Sequence, residues 1–425
     1  MNAINAPLTV NWKKNLFFVW ISQFLAMIGF GCCMPFIPLY LREHFHIVDN
    51  QLRGFYVSLF YLAGITSFCI ATTVWGMFAD RFGRKLMLLR ASYGAALLYP
   101  LLVFAPNFWI MILIRFLCSF FSGTVNPAQT LLVCTTPPEK HGFVLGTVST
   151  ALWSGNMVGY LTGGMIVHYF GYRTAFLSCG VIYLVSGLLV HLFVQDNFRR
   201  LTEKEKKEQK RQKHSFRELM SPAVLWLLFM FLLMGVARRI EEPFLAMQVE
   251  LINGIGGAAF HTGITSAAAA LGGIFSGIIM GHLCDRILPR RLALPVLLVS
   301  GSATLAQALS GNIQTLIAAR FLAYLAAGGL QPIFLVMLTK ITAPERRGTY
   351  FGWSGSFNTA GGIISSLLSG GIAYYIGVRG IFITAALIFF LMIPLMFPTV
   401  RASKAEYVCD PNATGRDLKR TDAAS

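Results

Sequence analysis

The chain has 425 residues, of which 55% are hydrophobic and only 12% are charged, and its formal net charge is +17 at pH 7. A soluble protein of this length carries about twice that share of charged residues, so the composition excludes an ordinary soluble fold and indicates a chain that crosses a membrane many times. The positive charge does not by itself indicate nucleic-acid binding, because in a membrane protein its distribution among the loops decides its meaning.

The first apolar stretch, NLFFVWISQFLAMIGFGCCMPFIPLYL, is too long for the core of a signal peptide and is followed by no small-residue cleavage site. We therefore predict that it is the first of several membrane spans. A spanning helix needs about 20 mainly apolar residues. On this criterion we predict twelve spans, at 16–41, 54–75, 86–105, 108–132, 143–168, 174–194, 222–245, 259–280, 292–310, 313–338, 351–374 and 380–398.

A long polar segment divides these spans into six and six. The sequence QDNFRRLTEKEKKEQKRQKHSFRELMS follows the sixth span and contains no apolar stretch long enough to cross a bilayer. We predict a six-helix bundle over 1–194, a cytoplasmic linker over 195–221, a second six-helix bundle over 222–400 and a disordered cytoplasmic tail over 401–425.

Lysine and arginine are distributed unequally between the two sides of the membrane in this topology. If both termini face one side and Arg90 is counted with the loop between spans 2 and 3, 27 of the 35 basic residues face that side, four face the other and four lie within spans. Positive residues collect on the cytoplasmic side, so both termini are predicted to be cytoplasmic. The same distribution explains the basic charge without a nucleic-acid partner. All eight cysteines fall in spans or on the cytoplasmic side, so no disulfide is expected.

Four short motifs of the first half return in the second half at an almost constant distance. RFLCSFFSGTVNP from Arg115 corresponds to RFLAYLAAGGLQP from Arg320, and GMFADRFGRK from Gly76 corresponds to GHLCDRILPRR from Gly281. PEKHG returns as PERRG, and HYFGYR returns as YYIGVR, and every offset is 205 or 206 residues. This indicates two six-span units with the same orientation, related by an axis along the membrane normal.

The motif GMFADRFGRK resembles the Gly-x-x-x-Asp-Arg-x-Gly-Arg-Arg/Lys signature of the major facilitator superfamily, which lies between spans 2 and 3. The resemblance covers all but about the last 25 residues and is greatest to twelve-span drug:proton antiporters, whose opening is similar to NWKKNL…MPFIPLYL. It implies an all-α polytopic membrane protein with twelve transmembrane helices in two parallel six-helix repeats. It also implies a transporter of the bacterial cytoplasmic (inner) membrane that needs no cofactor and is driven by a proton gradient.

In that family the loop between spans 2 and 3 latches the two halves together in one state of the transport cycle. We expect the first glycine to allow close helix approach and the second to allow a tight turn. The alternative is a generic positive loop. The resemblance assigns the latch to Gly76, Asp80, Arg81, Gly83, Arg84 and Lys85, with a weaker copy at Asp285 and Arg286.

Predicted spans 4 and 10 each contain an arginine and, eleven residues after it, a polar residue followed by proline. A charge at membrane depth is costly and normally faces a cavity or a partner. Arg115 and Arg320 are therefore candidates for a substrate or proton path, and the alternative is a structural hydrogen-bonding role. No acidic residue lies near Arg115 in spans 1–6, so polar groups, water or an anionic substrate are its expected partners. Asn126 and Gln331 are further cavity candidates at helix kinks.

Predicted span 5 carries five glycines at the spacing of a second family motif, the antiporter pattern Gly-x8-Gly-x3-Gly-Pro-x2-Gly-Gly. Glycines on one helix face allow close packing, so we expect them at the interface between the halves. Tyr160 stands where the pattern has proline, which leaves export and import both open. The alternative is ordinary glycine-rich membrane packing. The five glycines are Gly146, Gly155, Gly159, Gly163 and Gly164.

Predicted span 7 ends in the charged sequence ARRIEEPF. A proton-coupled carrier needs a protonatable group in its cavity, and of the 18 acidic residues only Glu241, Glu242 and Glu250 lie at membrane depth. On one continuous helix, Glu242 shares a face with Arg238 and can also reach Arg239, whereas Glu241 points about 100° away. Glu242 is therefore the first proton-coupling candidate and Glu241 the second.

A self-neutralised charge cluster at the outer rim is the alternative for this segment. The two arginines, Arg238 and Arg239, join the candidates for a substrate cavity. Aromatic residues of span 1 that precede the outer loop, Phe36 and Tyr40, are also candidates, although each of them alone is more typical of helix packing.

Together these features predict a monomeric secondary active transporter, embedded in the lipid bilayer, that exports amphiphilic drugs or toxic small molecules in exchange for protons by alternating access. A metabolite or siderophore carrier of the same fold, including an importer, is the alternative, and a non-transporting membrane sensor is a third. The sequence contains no Walker-type phosphate loop, metal-spaced Cys/His cluster or nucleophile elbow, so we predict neither an enzyme nor a metal site.

Overall fold

The computed structural model describes residues 10–198, 221–287, 289–342 and 347–408. These ranges are helical apart from short turns and connections, and they contain no β-strand. Side chains are also outside the description at a few helical positions. Those positions are residues 80, 281, 285, 286, 290, 347, 348 and 397–408.

The first half of the chain forms seven helices, because two of its spans are interrupted and two others run together. Gly123, with φ 99°, interrupts span 4, and Gly171, with φ 78°, bends the longest helix between spans 5 and 6. Both angles favour glycine, which lacks a Cβ. The helices are α1 (Trp12–Cys33), α2 (Ile37–Phe45), α3 (Asn50–Phe82), α4 (Arg84–Leu101), α5 (Phe108–Phe121), α6 (Val125–Thr135) and α7 (His141–Phe193).

The second half forms eight helices in the described ranges and repeats the interruptions of the first. Its last helix continues past the predicted end of the bundle at residue 400, whereas residues 199–220 of the predicted linker and 409–425 of the predicted tail lie outside the described residues. The helices are α8 (Pro222–Ile240), α9 (Leu245–Asn253), α10 (Ala258–Arg286), α11 (Pro289–Leu309), α12 (Ile313–Ala327), α13 (Leu330–Lys340), α14 (Arg347–Tyr375) and α15 (Val378–Val408).

Ten helical stretches in these ranges are long and apolar enough to cross a membrane. One of them, Pro138–Phe193, has 56 residues, far more than a bilayer needs, and it bends at Gly171 between two predicted spans. Helix α14 is less apolar because it is rich in glycine and serine, but its 29 residues are sufficient for a crossing. The all-helical, polytopic fold is confirmed, and the helices are consistent with the twelve predicted spans.

The two halves repeat each other down to the breaks in their first helices. A 3-10 turn, Met34–Phe36, separates α1 from α2, and the turn Glu242–Phe244 separates α8 from α9. Each turn has proline as its second residue, and each is followed by a helix of nine residues. Proline lacks the N–H that would continue the helix. The equivalent helices α6 and α13 are likewise both eleven residues long.

The halves contact each other along two helix pairs, α3 with α14 and α7 with α10. A Cβ added to Gly164 of α7 would lie 3.1 Å from the Cα of Gly263 in α10. The hydroxyls of Ser58 in α3 and Ser369 in α14 are 2.9 Å apart. Small residues allow membrane helices to approach this closely, and dispersion and hydrogen bonds then hold them together.

The space between the halves is closed at one end of the bundle and open at the other. We call the end where α7 stops and α8 starts the linker end, and the opposite end the distal end. Near the distal end, a Cβ added to Gly54 would lie 2.6 Å from Ala373 Cβ. Near the linker end, six glycines of the contacting helices would meet no atom within 4 Å of an added Cβ. These are Gly76, Gly142, Gly146, Gly277, Gly352 and Gly355.

Candidate functional site

The charged sequence ARRIEEPF breaks the helix that carries it. Helix α8 ends at Ile240, and the 3-10 turn that starts at Glu242 redirects the chain into α9. The proline after Glu242 causes the break, because it has no N–H and clashes with the preceding turn. The expectation that Glu242 shares a continuous helix face with Arg238 is therefore wrong, although Glu242 does interact electrostatically with Arg239.

Glu241 forms the central ion pair of the second half. Its Oε1 accepts a hydrogen bond from Nη1 of Arg320 at 2.7 Å, and the two residues are only 3% and 2% exposed. Arg320 also donates to Oε1 of Gln307 at 3.0 Å and to the hydroxyl of Tyr324 at 3.2 Å. Charged groups are costly to bury, and each member of the pair compensates the charge of the other. Removing one partner therefore leaves an uncompensated charge in the protein interior.

Several polar atoms around this pair make no hydrogen bond to another described residue. They are Oε2 of Glu241, Nε of Arg320 and Nε2 of Gln307. Glu241 borders a small cavity that Arg238 and Thr304 also line. Buried polar atoms are normally satisfied by protein or by ordered water, so these atoms have capacity for a further polar group. The arrangement is suited to taking up a proton or a water molecule beside the carboxylate.

Glu242 and Arg239 face the space between the halves. Both are exposed, and Glu242 lies within electrostatic range of Tyr61 in α3 and Tyr160 in α7. Arg239 lies within electrostatic range of Cys69, also in α3. Among the side chains that the structure describes, Glu242 forms no salt bridge with either neighbouring arginine. The two residues are therefore placed to meet a molecule that enters from the linker end.

Arg115 is buried in the first half without a carboxylate. It is 7% exposed, and its guanidinium lies 5.1 Å from the ring centroid of Phe60. It packs so closely on Gly64 that a Cβ there would come within 2.6 Å of its Nε. Its Nε and Nη1 have no hydrogen-bond partner within the described part of the chain. The backbone carbonyls and polar side chains that we expected as partners do not accept from these two atoms.

The cavity candidates outside span 7 divide into buried and exposed residues. Phe36 and Tyr40 are fully buried, and the Tyr40 hydroxyl donates to the Val103 carbonyl at 3.3 Å. The prediction that they line a cavity is wrong, because the 3-10 turn directs this part of span 1 into the packed core. Asn126 and Gln331 are exposed. Asn126 borders a cavity of the first half beside the break between α5 and α6.

The loop between α3 and α4 is tied to the first half. Gly83 has φ 96°, which confirms the expected tight turn. Asp196, beyond the end of α7, accepts from the backbone amides of Arg84 at 2.8 Å and Lys85 at 3.0 Å. Lys85 Nζ also donates to the His191 carbonyl at 2.9 Å. An acidic group at a helix N-terminus satisfies free amides and complements the helix dipole. Sequence reasoning assigned Asp196 to the linker and missed this role.

Of the remaining latch residues, the structure describes the surroundings of Gly76 and one contact of Arg81. Gly76 was expected at a close helix approach, but a Cβ there would meet nothing within 4 Å, so the expectation is wrong for this conformation. The guanidinium of Arg81 lies 5.4 Å from the ring of the adjacent Phe82. The side chains of Asp80, Asp285 and Arg286 lie outside the described residues, so their latch role stays a prediction.

The glycines of span 5 pack mainly within their own half. A Cβ added to Gly155, Gly159 or Gly163 would lie 2.5 or 2.6 Å from a backbone atom of α1. Only Gly164 faces the second half, and Gly146 has nothing within 4 Å. The prediction that the whole glycine face lies between the halves is therefore wrong. Three of the five glycines instead allow α7 to cross α1 at close range.

Three charged residues close the distal end, and sequence reasoning did not bring them together. Glu250 of α9 forms salt bridges with Arg42 of α2 and with Arg53 of α3, whose Nη1 is 2.9 Å from Oε2 of Glu250. Arg53 is fully buried. Arg42 and Glu250 are each the sixth residue of a nine-residue helix in equivalent positions of the repeat. Opposite charges at equivalent positions of the two repeats were the sequence feature that could have predicted this salt bridge.

The model of the major facilitator superfamily matches residues 19–258 and 243–409. The chain is 30% identical over 390 residues to the multidrug resistance protein MdtG of Proteus mirabilis, which covers 91% of this chain and 96% of that protein. It is also 30% identical over 385 residues to the protein of the same name from Serratia proteamaculans, with 90% and 93% covered.

Solved structures with the same fold share little sequence with this chain. A bacterial homolog of the human lysosomal transporter Spinster, in an inward-facing and occupied conformation, gives a TM-score of 0.73 at 14% identity, with 92% of this chain and 97% of that one covered. The nucleoside transporter NupG gives a TM-score of 0.71 at 14% identity, with 91% and 99% covered. At these identities the likeness shows the fold.

Proposed function

The chain belongs to the major facilitator superfamily, and from that premise we propose that it exports amphiphilic drugs or toxic small molecules in exchange for protons. Membership makes it a multi-pass membrane transporter and not an enzyme. Relatives that match over nine-tenths of the chain are named for multidrug resistance, which supports export of such compounds. The bacterial relatives support an inner-membrane location, and the distribution of basic residues supports an orientation with both termini in the cytoplasm.

The observation that carries proton coupling is the buried ion pair between Glu241 and Arg320. Protonation of Glu241 removes its charge, so Arg320 loses the counter-ion that it holds at 2.7 Å. The groups within range of the carboxylate are Arg320, Arg238 and Glu242. Arg320 is shared with Gln307 and Tyr324, which offer it polar contacts when the carboxylate is neutral. A proton on Glu241 therefore changes how α8 is held against α12.

The ion pair makes Glu241 the first candidate for proton coupling and Glu242 the second, the reverse of the order predicted from the sequence. Glu242 is exposed and has no salt bridge among the described side chains, so its protonation breaks no contact that holds the helices together. We therefore assign coupling to Glu241 and place Glu242 on the path by which protons or substrates reach it. The two glutamates are adjacent, which makes each a matched control for the other.

The difference between the two ends of the bundle supports transport by alternating access. The linker end is open and the distal end is closed by Glu250 with Arg42 and Arg53. With the linker end in the cytoplasm, this conformation admits substrate from the cytoplasm. Export then requires the three charged residues to separate while the glycines of the linker end come together.

The decisive experiment is transport in proteoliposomes with an imposed pH gradient. We expect Glu241→Gln to abolish uphill, gradient-driven transport and to retain substrate counterflow, because substrate exchange does not need the proton step. Glu242→Gln should keep gradient-driven transport at a reduced rate. If Glu241→Gln moves substrate uphill at the parental rate, Glu241 is not the coupling acid. If the parental protein moves no compound in either mode, the export proposal is wrong.

A metabolite carrier of the same fold is the second candidate function. Tyr160 stands where antiporters of the family have a proline, and this departure keeps import open. Vesicles of opposite orientation distinguish the two directions, because an exporter that exchanges substrate for protons accumulates substrate in everted vesicles whose lumen is more acidic than the medium. A non-transporting sensor is the weakest alternative, since it gives no reason for charged groups that line an open path to a buried ion pair.

A further inference from the structure

We infer that the cavity between α3, α4 and the break that separates α5 from α6 binds the phosphate group of an anionic phospholipid. The cavity lies at the linker end of the first half, and two of its lining residues are arginines, Arg84 and Arg90. The ligand comes from the bilayer, so its binding does not depend on which compounds the protein transports.

The cavity is large enough for a phosphate group and is open to the outside of the protein. Its volume is about 100 Å³, several times what one water molecule needs. Four of its lining residues are exposed, and they belong to α3 and α6, so the cavity opens between these two helices. The four exposed lining residues are Thr72, Gly76, Asn126 and Thr130.

Arg90 is held in this cavity with N–H groups that have no acceptor. Its guanidinium carbon lies 4.1 Å from the ring centroid of Trp75, and the indole N–H of Trp75 donates to the Phe120 carbonyl at 2.7 Å, which fixes the ring. A guanidinium stacked on an aromatic face donates from its edges, yet Nε and Nη1 of Arg90 find no partner within the described part of the chain. Ordered water satisfies an N–H group but supplies no negative charge, whereas a phosphate oxygen supplies both.

The lining of the cavity is positively charged. Arg84 is the first residue of α4, and Arg90 follows six residues later on the same helix. The described lining contains no carboxylate, and Asp196 is bonded to the backbone amides of Arg84 and Lys85 instead of lining the cavity. The site therefore offers two cations to a phosphate group and no carboxylate to the ammonium group of a zwitterionic lipid. This favours a lipid with a net negative charge.

The start of α6 adds an independent attraction for an anion. Gly123, with φ 99°, lines the cavity together with Asn126 and Pro127 of the first turn of α6. The N-cap residue, Thr124, makes no side-chain bond to that turn, and its hydroxyl donates to Gln23 at 3.0 Å. Free amides at a helix N-terminus carry partial positive charge and bind phosphate oxygens. This helix start and the two arginines border the same cavity.

The depth of the cavity favours a lipid headgroup over a dissolved phosphate ion. Arg84 and Arg90 are about 9 Å apart along α4, a distance that covers the headgroup region and the first part of the hydrocarbon. Basic pockets between helices on the cytoplasmic side of a membrane are typical sites for anionic headgroups. The neighbouring surface of α3 and α4 also exposes large apolar side chains that acyl chains can contact. These are Met77, Phe78, Phe82 and Leu86.

The test compares two lipids that share their acyl chains and differ in headgroup charge, dioleoyl-phosphatidylglycerol and dioleoyl-phosphatidylethanolamine. The full-length protein is delipidated in detergent and titrated with each lipid, and bound lipid is counted by native mass spectrometry. We expect the first phosphatidylglycerol to bind roughly tenfold or more tightly than the first phosphatidylethanolamine, because a charge-assisted hydrogen bond is worth about a factor of ten. Inorganic phosphate in large molar excess should leave the bound lipid in place.

Variants locate the bound lipid. Arg90→Gln should reduce affinity for phosphatidylglycerol roughly tenfold and change affinity for phosphatidylethanolamine by less than about twofold. Thr130→Phe, at an exposed position of the opening, should also weaken binding of phosphatidylglycerol, because it narrows the cavity without changing a charge. Arg173→Gln is the control, since Arg173 also lies over an aromatic ring, that of Phe104, but is exposed at the distal end. The comparison of the two lipids on the parental protein does not depend on whether the variants fold.

Three results would overturn the inference. Equal affinity of the two lipids contradicts a preference for negative charge. Equal loss of affinity in Arg90→Gln and Arg173→Gln shows that the lipid binds elsewhere. Displacement of phosphatidylglycerol by inorganic phosphate assigns the cavity to a dissolved anion and not to a lipid. None of these results bears on export, which the proteoliposome experiment decides separately.

Discussion

Arg42 and Glu250 occupy the same position in the two halves of the chain, and they form a salt bridge with each other across the distal end. An axis between the halves brings equivalent positions face to face where the first helices of the two repeats meet. Like charges there would repel, whereas opposite charges join the halves. Arg53 adds a second cation to Glu250, so one carboxylate holds two helices of the other half.

Replacing that carboxylate should open the distal end. We expect Glu250→Gln to shift the population towards the outward-open state by roughly tenfold, because two arginines lose their counter-ion. A cysteine at Ser58, which lies 2.9 Å from Ser369 in the closed state, should then react faster with an impermeant maleimide. Glu43→Gln, at an exposed position of α2, is the control and should leave the rate unchanged. An unchanged rate in Glu250→Gln would show that other contacts close this end.

The pair between Glu241 and Arg320 should behave as a coupled unit in stability measurements. Arg320→Gln leaves a buried carboxylate without a counter-ion, so we expect a loss of about 3–5 kcal/mol and a lower melting temperature in detergent. The double variant with Glu241→Gln should melt at a higher temperature than Arg320→Gln alone, because no uncompensated charge remains. Simple additivity of the two losses would contradict the pairing.

The crossing of α7 over α1 should not tolerate a methyl group. A Cβ at Gly159 would lie 2.6 Å from the Ile28 carbonyl oxygen, so Gly159→Ala should cost about 1–3 kcal/mol and reduce the amount of folded protein. Gly146→Ala on the same helix is the matched control, because it meets nothing within 4 Å. Size-exclusion chromatography and thermal melting measure both variants. Equal behaviour of the two would show that α7 and α1 are not in close contact.

The orientation in the membrane can be tested with single cysteines in a background without other reactive thiols. We expect cysteine at Arg173 or Arg379 to react with an impermeant reagent from outside intact cells, and cysteine at Lys140 to react only after permeabilisation. The expectation follows from the excess of basic residues at the linker end. Labelling at Lys140 in intact cells would reverse the topology and, with it, the side to which the open end faces.

Hydropathy and internal repetition are sufficient to predict the helical fold, because a bilayer requires long apolar helices and each repeat contributes the same set. The Arg115 and Arg320 motifs mark equivalent helices that the structure reproduces. The single proline after Glu242 was visible as well. Its effect on the direction of the neighbouring side chains was not, because helix geometry on each side of a break depends on tertiary packing.

The partners of charged residues were the least predictable part of the site. Spacing along one helix favoured Glu242, yet Glu241 pairs with an arginine 79 residues away in the chain. Asp196 likewise lies in a segment that reads as linker, and it caps α4 from the end of another helix. Phe36 and Tyr40 showed the same limit, since an aromatic residue near a span end is compatible with core and cavity alike.

The glycines of the linker end that contact no neighbouring helix affect the balance between the two conformations. Membrane helices gain little hydrophobic energy from association, so the two states of a rocking bundle stay close in free energy only if contacts given up at one end are regained at the other. Gly54 against Ala373 is a contact that opening the distal end must break. Gly76 and Gly277 make no such contact in this conformation, and they are placed to form close helix contacts when the linker end closes. A bulky side chain at Gly277 would therefore keep the linker end open and hold the protein in this conformation, without changing any charged residue.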